Sequence, residues 1–237
     1  MNMINKVAQM DNFFIFFFSL LINIFLFYKK YTKIVYMNYE IVLATSNKNK
    51  LKEVREILSP HKIVVYGLND LGIKIEDVEE NGKTYAENAL IKAKAVQKVT
   101  SFPIIADDSG LEITALDNRP GMHSARYATA MGGHANAIKE ILKDLSDKED
   151  RSARFVCDIV LLNVEDKPLI FEGIAKGTIA KEAQGEGGFG YDPIFISDET
   201  KTCFGTMPEG KKNTVSHRGK ALKKLLTYLR INGFVPL

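Results

Sequence analysis

The 237-residue chain has no tryptophan, seven prolines, four histidines and two cysteines. Cys157 and Cys203 stand far apart, with no CxxC clip and too few thiols for a disulfide framework. His61, His123, His134 and His217 show neither HxxxH nor HExxH spacing, which argues against a zinc enzyme. Any metal is therefore expected to be a hard, oxygen-bound ion such as Mg²⁺. Surplus charge is missing too. The formal net charge is +3, and residues 1–36 account for it, with Lys6, Lys29, Lys30 and Lys33 against Asp11 alone. Removing these from totals of 32 basic and 29 acidic residues leaves 28 of each in 37–237. Such a balance gives no sign of a long nucleic-acid groove, though a local basic cleft is compatible with it. With 46% apolar and 26% charged residues, the chain is neither disordered, collagen-like nor a small disulfide scaffold. One globular domain, or a tight two-lobed one, fits.

Residues 1–36 belong to another physical class. They hold seven of the 14 phenylalanines, and 13–28 is apolar except for Ser19 and Asn23. As a helix these 16 residues would span roughly 24 Å, short of the ~30 Å hydrocarbon core. Positive charge follows the run rather than preceding it, and no small-residue cleavage site is evident, unlike a secretory signal. Two readings stay open: a membrane anchor, or an upstream extension that is not translated, with synthesis starting at Met37. As an anchor, Lys29, Lys30 and Lys33 would keep the following domain, 37–237, on the cytoplasmic side.

From Asn38 onward strands and helices alternate. Strands are expected at 39–45, 62–66 and 103–106, the last ending in Asp107 and Asp108. Residues 154–164 and 169–180 read as long paired strands, and 193–196 as a short one. Helices are expected at 50–58, 84–99, 135–145 and 218–229, with a capping box at Thr84 and Glu87 and an N-cap at Ser216. The pattern predicts an α/β fold with a long mixed central sheet, flanking helices and two lobes around a cleft.

Four segments carry chemistry-bearing residues. Thr45, Ser46, Asn47, Lys48, Asn49 and Lys50 lie between a strand end and a helix start, where free amides and the helix dipole favour phosphate. The glycines of a Walker loop are missing, and an ordinary capped turn is the plainer alternative. Asp107 and Asp108, followed by Ser109 and Gly110, suit a Mg²⁺ site or a base acting on water, with Glu79 and Glu80 as further carboxylates. Alternation along a strand lets only one of the two aspartates face the cleft, the other fixing a turn. An acidic turn without chemistry is again the alternative. Residues 185–190 satisfy GxGxxG but lead towards a strand rather than a helix, so a dinucleotide fold is rejected. That loop either presents Phe189 and Tyr191 for stacking on a base or is a turn with two core aromatics. Finally, His217 and Arg218 open a helix whose first turn should prefer acidic residues, so they are candidates to read a ligand carbonyl.

Taken in order, these segments resemble one family. Ile41-Val42-Leu43-Ala44-Thr45-Ser46-Asn47 with Lys50, then Glu87-Asn88-Ala89, 106–111, Pro120-Gly121 with Ser124-Ala125-Arg126-Tyr127, 187–193 and Ser216-His217-Arg218 are similar to the inosine triphosphate pyrophosphatase, or Ham1-like, family. The resemblance runs from Ile41 to Leu229. It implies a Mg²⁺-dependent cytoplasmic hydrolase, usually a homodimer, that splits ITP, dITP and XTP to the monophosphate and pyrophosphate and so cleanses the nucleotide pool. By position it implies that 45–50 hold the triphosphate and that Glu79 and Asp108 bind the metal. Asp108 would also be the base for the attacking water, with Ser109 touching substrate beside it. Phe189, Gly190, Tyr191 and Asp192 would enclose the nucleoside, while Lys212, His217 and Arg218 complete base and phosphate contacts and Lys92 is a further cleft lysine. Ser46 stands where the family often has glycine, and Lys211 where it often has an acidic residue. A transferase using the same phosphate-binding parts is the nearest rival, and pyrophosphate release without an acceptor separates the two. A membrane-tethered nucleotide-binding protein without turnover is the other, set against the complete acidic set Glu79, Asp107 and Asp108.

Overall fold

The computed structural model describes residues 38–75 and 78–236. The apolar run of the first 36 residues lies outside the described residues. Among the described residues, no helix is long and apolar enough to cross a membrane.

Strands β1 (Tyr39–Leu43), β2 (Ile63–Gly67), β3 (Ile104–Ile113), β4 (Arg119–Gly121), β5 (Ser152–Leu162), β6 (Leu169–Ile179) and β7 (Phe195–Ser197) form one sheet. Its order is β2-β1-β3-β5-β6-β7, with β4 also on β3. β2, β1 and β3 run parallel and the remaining pairings are antiparallel, so the sheet is mixed as expected. The long strands β3, β5 and β6, each roughly 33–37 Å at ~3.3 Å per residue, pass through both lobes.

Helix α1 (Lys48–Leu58) and the C-terminal α6 (His217–Ile231) cover one face of the first lobe, closing a core of Ile41, Leu43, Ile105, Ile159, Leu222 and Leu225. Helix α2 (Tyr85–Gln97) covers the other face with Ala89, Ala93 and Val96 on Val42, Ile104 and Val160. The small residues of α2 let it lie close to the strands. Its start follows the capping pattern: Thr84 Oγ1 accepts from the Glu87 amide, and the Glu87 carboxylate reaches back to the Lys83 amide rather than to that of Thr84. In the second lobe, α3 (Ser124–Ala130) and α4 (His134–Asp144) pack with Phe155, Phe195 and Phe204 around a separate core. Helix α5 (Glu209–Val215) precedes α6, and Ser216 ends the one and caps the other through the Gly219 amide.

Three differences from the sequence reading have physical causes. β3 continues to Ile113 rather than stopping before Asp107. Asp, Ser and Gly are poor strand formers, but pairing with β5 along all ten residues overrides that preference. No turn exists at these residues for an aspartate to fix. The strand expected at 193–196 begins only at Phe195, after a short 3₁₀ turn containing Pro193. Helices α3 and α5 were not anticipated, because seven residues are too few for a helical period to declare itself.

One close approach sets the position of α6. A Cβ on Gly173 of β6 would run into the His217 carbonyl and the Ala221 amide, so glycine lets the helix start press against the sheet. Gly173→Ala should cost about 2 kcal/mol by overpacking, and should lower activity because His217 and Arg218 move with the helix. Urea unfolding and turnover measured on one sample would check this; an unchanged midpoint would mean that α6 is not held by this contact.

Candidate active site

β1 stops at Leu43, beside Ile105, and β4 joins β3 only from Leu111. Both use the edge of β3 that β5 leaves free. Residues 106–110 thus have no strand neighbour on that edge, and a cleft of about 1160 Å³ opens there. It exceeds the ~300–1,000 Å³ common for small-ligand pockets, which leaves room for a bulky ligand.

Asp107 and Asp108 sit on opposite faces of β3 at this gap. Asp107 shares the α1/α6 face, where Lys50 Nζ lies 3.0 Å away and Arg218 Nε donates at 3.1 Å. Arg218 Nη1 pairs with Glu53 and Nη2 donates to Ser109 Oγ at 3.2 Å. Lys212 Nζ is 3.7 Å from Glu53 and 2.6 Å from Asp192. The result is a buried chain of alternating charge: Lys50, Asp107, Arg218, Glu53, Lys212, Asp192. Asp107, Glu53 and Arg218 are each 2% exposed. Burial opposes the charge on Asp107, yet Lys50 and Arg218 outweigh it and hold the carboxyl well below the usual range. Arg218 stays a cation, since Glu53 and Asp107 more than offset its burial.

Asp108 faces α2. Asn88 Nδ2 donates to it at 3.2 Å and Lys92 Nζ lies 3.3 Å away, while Lys92 also reaches Glu80 at 3.4 Å. Here burial lifts the pKa, and Lys92 and Lys50 offset it only in part. Neighbours in sequence thus have opposite fates: Asp107 is a fixed anion and Asp108 is poised to take a proton. The carboxylate expected to face the cleft does so, while its partner anchors a charge cluster instead of a turn.

The other candidate residues fall around this pair. Asn47 caps α1, its Oδ1 accepting from the amides of Asn49 and Lys50, and Thr45 Oγ1 accepts from that of Asn47. Three amides expected to be free for an anion are therefore already occupied, so the positive character of 45–50 rests more on Lys48 and Lys50. Ser46 does not adopt a positive φ, and a glycine is not required there. Glu79 is exposed on the cleft rim with Glu80 beside it.

Phe189 lies over Lys212 at 4.7 Å and Arg218 at 5.6 Å, roofing this end of the cleft. Tyr191 is packed in the second core, bonded through its hydroxyl to the Ser124 carbonyl, and also lines the cleft. Asp192 is buried and accepts from the Phe189 amide at 2.8 Å. Its carboxylate occupies the space a Cβ on Gly188 would need, and Gly188 has φ +70°. His217 stacks on Phe155 at 4.6 Å, with Nδ1 unpartnered. Burial, then Arg218 and Lys212, keep it neutral. Lys212 is buried on the cleft wall, whereas Lys211 is exposed.

Glu53, Asn88 and Phe155 were not foreseen as site residues. Glu53 left a trace: Lys50, Glu53, Val54, Ile57 and Leu58 follow one helical stripe, so two charges share the buried face of α1. Asn88 joins the two sides of α2's start, accepting from the Gly82 amide and donating to Asp108.

Among the described residues, no three His, Cys, Asp or Glu side chains gather as a ready metal cage. Asp108 and Glu79 are hard oxygen donors, and they fit a divalent ion that takes most of its ligands from phosphate and water.

Fold and site together define an α/β enzyme whose cleft sets one buried carboxylate, Asp108, among lysines and an arginine. The comparisons are specific. The model of the Ham1 family matches residues 41–228. The dITP/XTP pyrophosphatase of Treponema denticola is 42% identical over 194 residues, spanning 81% of this chain and 98% of that protein. The dITP/XTP pyrophosphatase of Bacillus subtilis is 43% identical over 188 residues, with 78% and 94% covered. Among solved structures, a HAM1 protein from Coxiella burnetii superposes with a TM-score of 0.70 at 42% identity, over 80% of this chain and 98% of that one. The Staphylococcus aureus Ham1 protein gives 0.72 at 37%, over 81% and 99%. The chain belongs to the Ham1 family.

The two aspartates are separable by stability. Asp107 has a lowered pKa in the fold, so its ionisation stabilises at pH above its unfolded value near ~4 and that contribution is lost as pH falls below it. Asp108 has a raised one, so its ionisation works against folding above the same pH. Urea unfolding in EDTA at neutral pH should show Asp107→Asn losing about 3 kcal/mol or more, because Lys50 and Arg218 keep buried charges without their partner. Asp108→Asn should lose nothing, and Asp107→Asn should also flatten the acid limb. Equal losses would contradict the two assignments.

Proposed function

We propose that this chain hydrolyses deaminated purine nucleoside triphosphates, ITP, dITP and XTP, to the monophosphate and pyrophosphate, removing them from the nucleotide pool. The observation that carries the reading is the buried Asp108 between Asn88 and Lys92 in a cleft walled by Lys48, Lys50, Lys212 and Arg218. The pyrophosphatase names borne by the relatives support it.

In this reading the triphosphate lies along 45–50 with Lys48, Lys50 and Lys92 meeting its charge. Asp108 accepts a proton from the water that attacks the α-phosphorus, with Asn88 holding its Oδ2 and Lys92 its Oδ1. Ser109 contacts substrate beside it. Mg²⁺ would be held by Glu79 and Asp108, with phosphate and water oxygens completing the set, and would supply neutralisation of the triphosphate. Phe189 covers the base from the Lys212 side, Gly190 supplies the left-handed φ of +68° that turns the loop, and Asp192 keeps that loop and Lys212 in register. His217 presents a neutral imidazole. The active form in this reading is a homodimer in the cytoplasm.

The test is a panel of nucleoside triphosphates with Mg²⁺, measuring pyrophosphate. ITP, dITP and XTP should be split without an acceptor, and ATP and GTP poorly. Asp108→Asn should lose at least ~10²-fold in turnover while binding nucleotide. An Asp108→Asn enzyme that turns over normally would end this assignment, and an absolute need for an acceptor would favour a transferase.

Selectivity is assigned to the Arg218 region. Hypoxanthine and xanthine carry a 6-keto acceptor where adenine has an amino donor. Four contacts engage Arg218, Nε and Nη2 with Asp107, Nη1 with Glu53 and Nη2 with Ser109, leaving one N–H on Nη1. That donor suits the keto oxygen and would face the adenine amino group donor to donor. A site built for one hydrogen bond can reject the analogue lacking it by ~10⁴-fold. Arg218→Lys keeps a charge for Glu53 and Asp107 but loses the fork. The ratio of kcat/KM for ITP over ATP should fall in this variant. If both substrates slow equally, Arg218 serves only the charge cluster and the base is read elsewhere.

A further inference from the structure

We propose that Asn88 is a positioning residue that joins Asp108 to the rim segment 79–83, so that the carboxylates of Glu79 and Asp108 keep one mutual geometry. The inference rests on the function proposed above, because it concerns the same site.

Asn88 lies in the first turn of α2 with 0% exposure. Asparagine is a weaker helix former than the alanine and leucine that follow it, and a buried amide has to find partners for its donors and its acceptor. Its two ends find them on two different segments. Oδ1 accepts from the Gly82 amide at 2.8 Å, and Nδ2 donates to Asp108 Oδ2 at 3.2 Å. One planar group therefore spans the space between the rim and β3. Lys92, one turn further along the same face of α2, repeats the link through charge. Its Nζ is 3.4 Å from Glu80 and 3.3 Å from Asp108. Asn88 is not itself a cleft-lining residue, so its effect on the reaction passes through Asp108 and the rim.

The rim is short and held at few points. The Lys83 amide donates to the Glu87 carboxylate at 2.6 Å, so two successive amides are held by two successive side chains of α2. From the other lobe, Arg126 of α3 donates to the Glu80 carbonyl at 3.2 Å. Glu79 is exposed and three residues from Gly82, no more than ~10 Å along an extended chain, so these holds set its place. Gly82 has no room for a side chain. A Cβ there would lie 2.7 Å from Asn88 Oδ1 and 2.9 Å from the Asn88 amide nitrogen. That close approach brings the Gly82 amide within reach of the buried oxygen.

Two variants separate the two ends of Asn88. Asn88→Ala removes both hydrogen bonds, whereas Gly82→Ala pushes the rim off Oδ1 and leaves the bond to Asp108. Amide hydrogen exchange in EDTA reads the rim without metal or substrate. The Gly82 amide should be protected in the parent and exchange about tenfold faster or more in both variants. In turnover of ITP, Asn88→Ala should lose ~10–100-fold in kcat, as for partners that orient a ligating carboxylate. Its KM should change little, since Asn88 meets no substrate. Gly82→Ala should raise the Mg²⁺ concentration that gives half the maximal rate, and approach the parent's kcat at saturating Mg²⁺. A merely structural asparagine would lower the unfolding midpoint of Asn88→Ala and leave the kcat of the folded enzyme as it was; that result overturns the proposal. So does a Gly82 amide that stays protected without Asn88, or a Gly82→Ala enzyme with the parent's Mg²⁺ requirement. If the parent itself splits no triphosphate, the proposed function falls, and hydrogen exchange alone then decides whether Asn88 holds the rim.

Discussion

The site depends on one run of buried alternating charges. Lys50 and Glu53 come from α1, Asp107 from β3, Arg218 from α6, Lys212 from α5 and Asp192 from the end of the glycine loop. All five of these segments also line the cleft, while α2 contributes no member. Removing any one leaves its neighbours charged in a low-dielectric setting, a loss of about 3–5 kcal/mol for a buried pair. The cluster therefore ties the positions of four elements and a loop to each other. It also puts positive charge at the cleft wall without leaving it free to collapse onto Asp108.

The period of a strand separates structure from chemistry. Because successive residues alternate faces, Asp107 and Asp108 meet two environments one residue apart. The α1/α6 face supplies two cations at hydrogen-bond distance, and Asp107 stays ionised despite burial. The α2 face supplies Asn88 and a single lysine shared with Glu80, so burial prevails and the affinity of Asp108 for a proton rises. A carboxyl with raised proton affinity and a permanent anion are thus made from the same side chain by geometry alone.

The gap in the sheet is as important as the charges. β1 is too short to reach Asp107, and β4 joins too late to cover Gly110, so the middle of β3 offers its edge to a ligand. Phe189 then closes the cleft over Lys212 and Arg218, a roof fixed by Asp192 and by the tight turn at Gly188. The cleft lies at the end of the parallel strands where β1 gives way to 44–47.

Much of this protein was legible in its residues. Strand and helix periods gave the mixed α/β fold, because a buried face imposes spacing on its side chains. The loop 45–50, the aspartate pair and Ser216-His217-Arg218 carry their chemistry in residue type, and taken together they pointed to the family. The hard, oxygen-bound character of any metal followed from the lack of thiol and imidazole spacing. Only the tertiary structure decided which aspartate is held as an anion and which has its proton affinity raised, since the count of residues along β3 says that they differ but not what packs on each face. It alone brought Glu53 and Arg218, 165 positions apart, into contact, and turned Tyr191 into the core while leaving Phe189 above the cleft. Those outcomes depend on which helices cover which face, and that is set by long-range packing rather than by any local pattern.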